Sequence, residues 1–287
     1  LGESIYNVPI YVNKALGECT FCIVTGLIAP HHSAGFSGGR KSIVPGLVGL
    51  KTLKIHHSLP IRPYEPAMGF IYGNPFHEVA LEVAKKVNVR FIVNAVQNPL
   101  KQNIAFVAGD LEEAHKKGVD ICKRVSEVEI EERADIVITS PGGYPRDTNL
   151  YQAQKALSVA ELIGKQDCVF ILVAECRNGI GEGVFKDWLV EANTPEEVIE
   201  RFKREGYEVG SNKAFMYARA MCKGKIIVVS QSLNCEELND MMLGWAPNLQ
   251  DAIEMAFKIK PPNIISILPN AVNIIPKIKK GDGENEK

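Results

Sequence analysis

The feature that most narrows the folds open to this chain is its regular alternation of short apolar runs with longer amphipathic stretches. Residues 21–28, 91–96, 104–108, 134–139, 169–174, 225–230 and 264–268 are apolar runs of strand length. Residues 76–87, 111–125, 147–164, 195–206 and 249–259 mix apolar and charged side chains at helical spacing. Strands interleaved with helices predict an α/β class, because each helix can cover the sheet that its neighbouring strands build. The five residues 97–101 between two strand candidates read as a hairpin connection. Asp110 stands where it can cap the free amides of the helix that follows.

At 287 residues the chain has room for about two domains of roughly 150 residues each. An acidic stretch at 127–132 separates two α/β series, which predicts a first domain over 1–124 and a second over 125–287. The expected architecture is two mixed α/β domains with a cofactor and substrate cleft between them, and a polar tail over 279–287 that frays. A hydrophobic fraction of 46% with 23% charged residues is that of a globular protein. Lys+Arg (33) and Asp+Glu (34) nearly cancel, which excludes a generic polyanion binder and argues against nucleic acid as a partner. No apolar run approaches the roughly 18–20 residues that cross a bilayer, so no membrane partner is expected. The seven cysteines are odd in number and scattered, which suits a reducing cytoplasm with mostly buried thiols. Cys19-x2-Cys22 has the spacing of half a zinc site, but no second such pair exists.

Chemistry concentrates in Pro30-His31-His32-Ser33-Ala34-Gly35-Phe36-Ser37-Gly38-Gly39-Arg40-Lys41-Ser42, directly after an apolar strand. Four of the six histidines fall at 31, 32, 56 and 57, around this Gly-rich basic loop. Glycines let backbone amides approach a phosphate, and basic residues neutralise it, so Ser37, Gly38, Gly39 and Arg40 are read as an anion cradle. A nucleotide P-loop needs Gly before its Lys; Arg40 stands there instead, and the P-loop reading is set aside. Imidazole suits nickel, zinc, copper and iron, and spacing does not choose among them or exclude histidines that are merely hydrogen-bonded.

A second Gly-rich loop, Thr139-Ser140-Pro141-Gly142-Gly143-Tyr144-Pro145-Arg146-Asp147, also follows a strand. Asp147 is expected to cap the next helix, on which Gln152 and Lys155 lie three apart and share a face. An amide beside an ammonium can hold a carboxylate, although a solvated helix face has the same pattern.

Pro-His-x3-Gly-Phe-Ser-Gly-Gly-Arg-Lys, followed by Pro-Gly and a His sixteen residues after the Lys, resembles the nickel-dependent lactate racemase family. Ser-Pro-Gly-Gly-x-Pro-x-Asp-x-Asn-Leu-Tyr-Gln-x-x-Lys is similar to that family's second-domain signature, about a hundred residues on and in the expected order. The resemblance implies a nickel pincer nucleotide, the nickel complex of pyridinium-3,5-bisthiocarboxylic acid mononucleotide, joined through a thioamide to Lys41. It implies His57 as the protein ligand to nickel, His31 as one of two catalytic bases, and Gln152 and Lys155 as substrate contacts. It further implies a small 2-hydroxy acid as substrate and cofactor-synthesis enzymes as partners.

Removing the Cα proton of a 2-hydroxy acid is hard, and hydride transfer avoids the carbanion. A base takes the hydroxyl proton while hydride leaves Cα, and the flat keto acid takes hydride back on its other face. In the family, the second catalytic histidine and a substrate-gripping arginine precede the Pro-His motif. Residues 1–30 hold neither His nor Arg, and the chain opens at Leu1 rather than Met. The expectation is therefore a fragment, inactive or nearly so alone. The alternative function is a non-catalytic module that binds the nucleotide or the metal.

Overall fold

The computed structural model describes residues 1–59 and 67–279, so the expected fraying of the tail falls, from residue 280 on, outside the described residues. The fold is α/β and divides into two compact units, Leu1–Ser126 and Glu127–Lys287. Among the described residues no helix is long and apolar enough to cross a membrane.

The first unit runs α1 (Lys14–Glu18), β1 (Cys22–Ile28), β2 (Pro30–His31), β3 (Gly35–Phe36), a 3₁₀ turn (Gly39–Ser42), α2 (Leu50–Ser58), α3 (Pro75–Lys86), β4 (Val89–Gln97), β5 (Asn103–Gly109) and α4 (Glu113–Ser126). Its sheet has the order β1-β4-β5, with β1 parallel to β4 and β4 antiparallel to β5 across the expected hairpin. Asp110 accepts from the amides of Glu112 and Glu113 at 2.9 and 3.1 Å, so it closes the start of α4. Val24 and Ile92 of the sheet pack in one core with Val79, Ala80 and Val83 of α3 and with Ile43 and Val44. Burying each such side chain contributes about 1.5–3 kcal/mol, which anchors the end of the 3₁₀ turn to the core.

The second unit runs β6 (Glu127–Ile130), β7 (Ala134–Thr139), α5 (Leu150–Ile163), β8 (Gly164–Val173), α6 (Phe185–Val190), α7 (Pro195–Glu205), α8 (Ser211–Lys223), β9 (Gly224–Val229), α9 (Cys235–Asp240), β10 (Gly244–Ala246), α10 (Leu249–Ile259), β11 (Ile265–Leu268) and β12 (Ile275–Ile278). Its main sheet is parallel throughout, in the order β10-β9-β8-β7-β11. Every residue of β7 is buried, as a strand covered on both faces must be. Ile136, Ile138, Val169, Ile171 and Ile227 pack against Ala252 and Ala256 of α10. Helices α5 and α8 pack against each other and against the sheet.

Three readings of the sequence need correction. The helix expected from 147 starts at Leu150, and its cap is Asn149, whose side chain accepts from the Gln152 amide at 2.9 Å. Asp147 instead accepts a long 3.4 Å bond from the Glu175 amide, because the chain is still in its loop at that point. Helix α8 shows no clean apolar period because two charged residues, Lys213 and Arg219, share its buried face with Ala214, Met216, Tyr217, Ala218 and Ala220. Arg219 donates to both carboxylate oxygens of Glu161 on α5 at 2.9 and 2.7 Å, and Lys213 donates to Gln154 at 2.9 Å, all four side chains being buried. Charged residues turned inward erase the apolar period by which a helix is recognised. Finally, the seven thiols are free but not mostly buried: Cys122, Cys168 and Cys176 are, while Cys19 and Cys235 are exposed.

Candidate active site

In the first unit the Gly-rich loop leaves β1, forms the β2–β3 ribbon and ends in the 3₁₀ turn that carries Lys41. His31 closes a tight turn: its Nδ1 accepts from the amides of Ser33 and Ala34, each at 3.1 Å. A nitrogen facing two N–H groups offers them its lone pair. The other ring nitrogen, Nε2, lies 3.0 Å from Lys41 Nζ. Lys41 Nζ also lies 5.6 Å from the centre of the Phe76 ring.

His57 sits in the last turn of α2, edge-on to the same Phe76 ring at 5.1 Å. Its Nδ1–H donates to the Leu53 carbonyl at 3.0 Å, which leaves the lone pair on Nε2. A ring oriented by a backbone carbonyl in this way is the usual arrangement of a metal-ligating histidine. The adjacent His56 differs. It is fully buried, donates from Nε2 to the Phe76 carbonyl at 2.9 Å, and is pushed down to about pKa 3 by burial. Phe76 is thus the shared floor under Lys41, His56 and His57, and no sequence pattern marked it.

The anion-cradle reading of Ser37, Gly39 and Arg40 is not what these groups do. Arg40 is buried, and its guanidinium donates to the carbonyls of Gly38, Ala34 and Phe36 at 3.1, 3.0 and 2.9 Å. It also donates to His115 Nε2 at 2.7 Å, and burial lowers its pKa to about 9. The Ser37 hydroxyl donates to Leu27 O at 2.7 Å, and the Ser37 amide to Ala29 O at 2.9 Å. The Gly39 amide donates to Asn94 Oδ1 at 2.9 Å. The basic residue and two of the cradle's amides therefore hold the loop together from inside. Gly38 is required by packing: at φ +82 and ψ 174 its backbone is in a region essentially restricted to glycine. A Cβ there would stand 2.7 Å from Ile28 Cγ1 and 3.0 Å from Asn94 Oδ1. Gly38→Ala is accordingly expected to cost about 1–3 kcal/mol in backbone strain alone. Denaturant unfolding checks this; an unchanged midpoint would contradict the packing role.

Two residues that sequence reasoning passed over fix this loop. Asn94 is the one polar side chain pointing inward from an otherwise apolar β4 segment, and that interruption is the signal that could have found it. Asn74 caps α3 ahead of Pro75 and donates to Ser33 O at 2.9 Å, tying the His31 turn to α3.

In the second unit Gln152 and Lys155 share one face of α5, and Lys155 Nζ donates to Gln152 Oε1 at 2.7 Å. Burial, then the nearby Arg146 charge, lowers the Lys155 pKa. Strands β8 and β11 flank β7 on opposite sides, so the connections after β7 and β11 meet at the carboxyl end of the sheet. Open parallel sheets take ligands at that reversal.

Comparison with known proteins gives a consistent result. Residues 1–69 match the model of the lactate racemase N-terminal domain, and residues 128–276 that of the lactate racemase C-terminal domain. The chain is 34% identical over 274 residues to the lactate racemase of Thermoanaerobacterium thermosaccharolyticum, and 32% identical over 271 residues to that of Lactiplantibacillus plantarum. Each alignment covers 93% of this chain and 64% of the relative, so the chain spans less than two thirds of the length of these curated relatives. The solved lactate racemase apoprotein from T. thermosaccharolyticum superposes with a TM-score of 0.90 at 34% identity, covering 96% of this chain and 67% of that one. A Thermotoga maritima protein at 16% identity, with a TM-score of 0.71 over 95% of this chain and 70% of that one, shares the fold.

Proposed function

The chain belongs to the lactate racemase family, and from that premise we propose that it takes part in inverting the Cα of a small 2-hydroxy acid on a nickel pincer nucleotide held by its first unit. Supporting this reading is the 3.0 Å contact of His31 Nε2 with Lys41 Nζ, which brings an imidazole to the atom that would anchor the cofactor. The donor set fits such a group. His57 offers one oriented imidazole, and Lys41 Nζ lies by the same Phe76 ring that His57 meets edge-on. When bound, the nickel pincer nucleotide supplies an acceptor for hydride.

The chain's own residues do the rest. Lys41, its Nζ held 3.0 Å from His31 Nε2, would present its amine for a thioamide link. His57 offers Nε2 to the metal, aimed by its bond to Leu53. Lys155 holds the substrate carboxylate and stabilises charge developing on oxygen, while Gln152 orients it. His31 serves proton transfer at the substrate hydroxyl. A protonated imidazole donates from both nitrogens, so proton uptake costs the two amide bonds that Nδ1 accepts and is coupled to the turn at residues 31–34. Ser37, Gly38, Gly39 and Arg40 act as the scaffold that sets Lys41 and leave phosphate neutralisation to other groups.

The test is intact-mass spectrometry of protein produced together with the cofactor-synthesis enzymes. Wild type should carry an adduct that maps to the Lys41 peptide, and Lys41→Arg should carry none. An unmodified wild type, or an adduct that survives in Lys41→Arg, overturns the assignment.

A further inference from the structure

Beside Lys155 lies a second cation that the comparisons do not assign. Arg146 is carried by the connection after β7, and that connection is pinned to the end of β11. The Ser140 amide donates to Leu268 O at 2.9 Å, and the Ala271 amide to Ser140 O at 3.0 Å. Gly142, at φ +94, sits so close to Asn270 that a Cβ would fall 2.4 Å from its Oδ1. Arg146 Nη1 donates to the same Asn270 Oδ1 at 3.3 Å.

The partners of the two cations are both neutral: a side-chain amide oxygen for Arg146 and another for Lys155. Among the described residues neither forms an ion pair, although the chain has 34 acidic residues. The neighbouring Asp147 does not serve either, since Oδ2 accepts from the Glu175 amide and Oδ1 is buried without a partner. Arg146 is half-buried, and burial lowers its pKa while its charge depresses that of Lys155. Two neighbouring like charges withdrawn from water without a carboxylate form an arrangement that an anion would stabilise. A guanidinium has five donors, only one of which is engaged by Asn270, and its fork matches the two oxygens of a carboxylate.

We propose that Arg146 is a substrate-binding residue that grips the carboxylate of the 2-hydroxy acid together with Lys155. This rests on the reading of Gln152 and Lys155 as the substrate site. It makes the site selective for an acid over its amide, because a neutral ligand leaves both cations uncompensated.

Ligand-observed NMR titration of the chain with sodium L-lactate, and with lactamide as the uncharged analogue, tests it. Arg146→Gln keeps an amide donor for Asn270 while removing the charge and the fork. It should weaken lactate binding about tenfold or more, as loss of a charge-assisted bond does, and leave lactamide binding unchanged. Arg146→Lys should recover part of the loss. If Lys155→Gln loses lactate while Arg146→Gln binds it as wild type does, the Arg146 proposal falls and the substrate site stands. If Arg146→Gln weakens lactate and lactamide equally, Arg146 is only structural. If the wild type does not bind lactate, or binding ignores both positions, both readings fall.

Discussion

His31→Ala, in protein carrying the cofactor, is expected to lose about 10²–10⁴-fold in turnover, the usual worth of a positioned proton-transfer group. Metal content and the Lys41 adduct should be retained. His57→Ala should do the reverse to the metal, lowering nickel occupancy by removing the protein donor while the Lys41 link persists. The contrast follows from hydrogen bonding. His31 uses Nδ1 to hold its own turn and directs Nε2 to Lys41, whereas His57 uses Nδ1–H on its helix and keeps Nε2 as a lone-pair donor. Metal analysis and racemisation rates on both variants decide it. Loss of nickel from His31→Ala with retention in His57→Ala would reverse the two roles, and no change in either would make both rings structural.

Lys213→Met is expected to stabilise the second unit at neutral pH. The Lys213 ammonium is buried beneath α5, donates to Gln154 at 2.9 Å, and lies 5.4 Å from the Tyr151 ring centre without a carboxylate. Burial, then the Lys155 charge, lowers its pKa from 10.5 to about 7. Such a shift corresponds to about 5 kcal/mol of destabilisation, present in full below pH 7 where both folded and unfolded chains are protonated. Between pH 7 and 10.5 the unfolded chain binds the extra proton, so stability rises with pH until the penalty has gone. Removing the lysine leaves the Gln154 oxygen unpaired at a cost of about 1–3 kcal/mol, and the net gain at pH 7 is about 2–4 kcal/mol. The chain's two tryptophans, Trp188 and Trp245, both lie in this unit, so their fluorescence reports its unfolding by denaturant. The gap between variant and wild type should shrink as pH is raised from 7 to 10. A gap that does not change with pH would refute the buried-charge account.

Much was legible in the sequence because the signals were local. The strands at β1, β4, β7 and β9, the hairpin between β4 and β5, and the helix starting behind Pro195 follow from apolar runs, turn residues and caps that act within a few residues of each other. Local spacing also set four histidines around one Gly-rich loop and Gln152 and Lys155 on one helical face, while the roles expected of Lys41, His57, Gln152 and Lys155 came from the resemblance to a family. What a polar group is used for is a different matter, since it depends on atoms far away in the chain. Arg40 looked like an anion-binding residue until the fold wrapped it in the carbonyls of residues 34–38 and set His115, seventy-five positions on, against it. Asn94 reaches Gly39 across fifty-five positions, and Arg146 meets Asn270 across 124. The sequence by itself determined the α/β alternation and marked the two Gly-rich loops that follow strands, because periodicity and turn chemistry are short-range. Only the tertiary structure decided which glycines, amides and cations are consumed in holding those loops and which remain for a ligand, because hydrogen bonding and desolvation are settled by neighbours that only folding supplies.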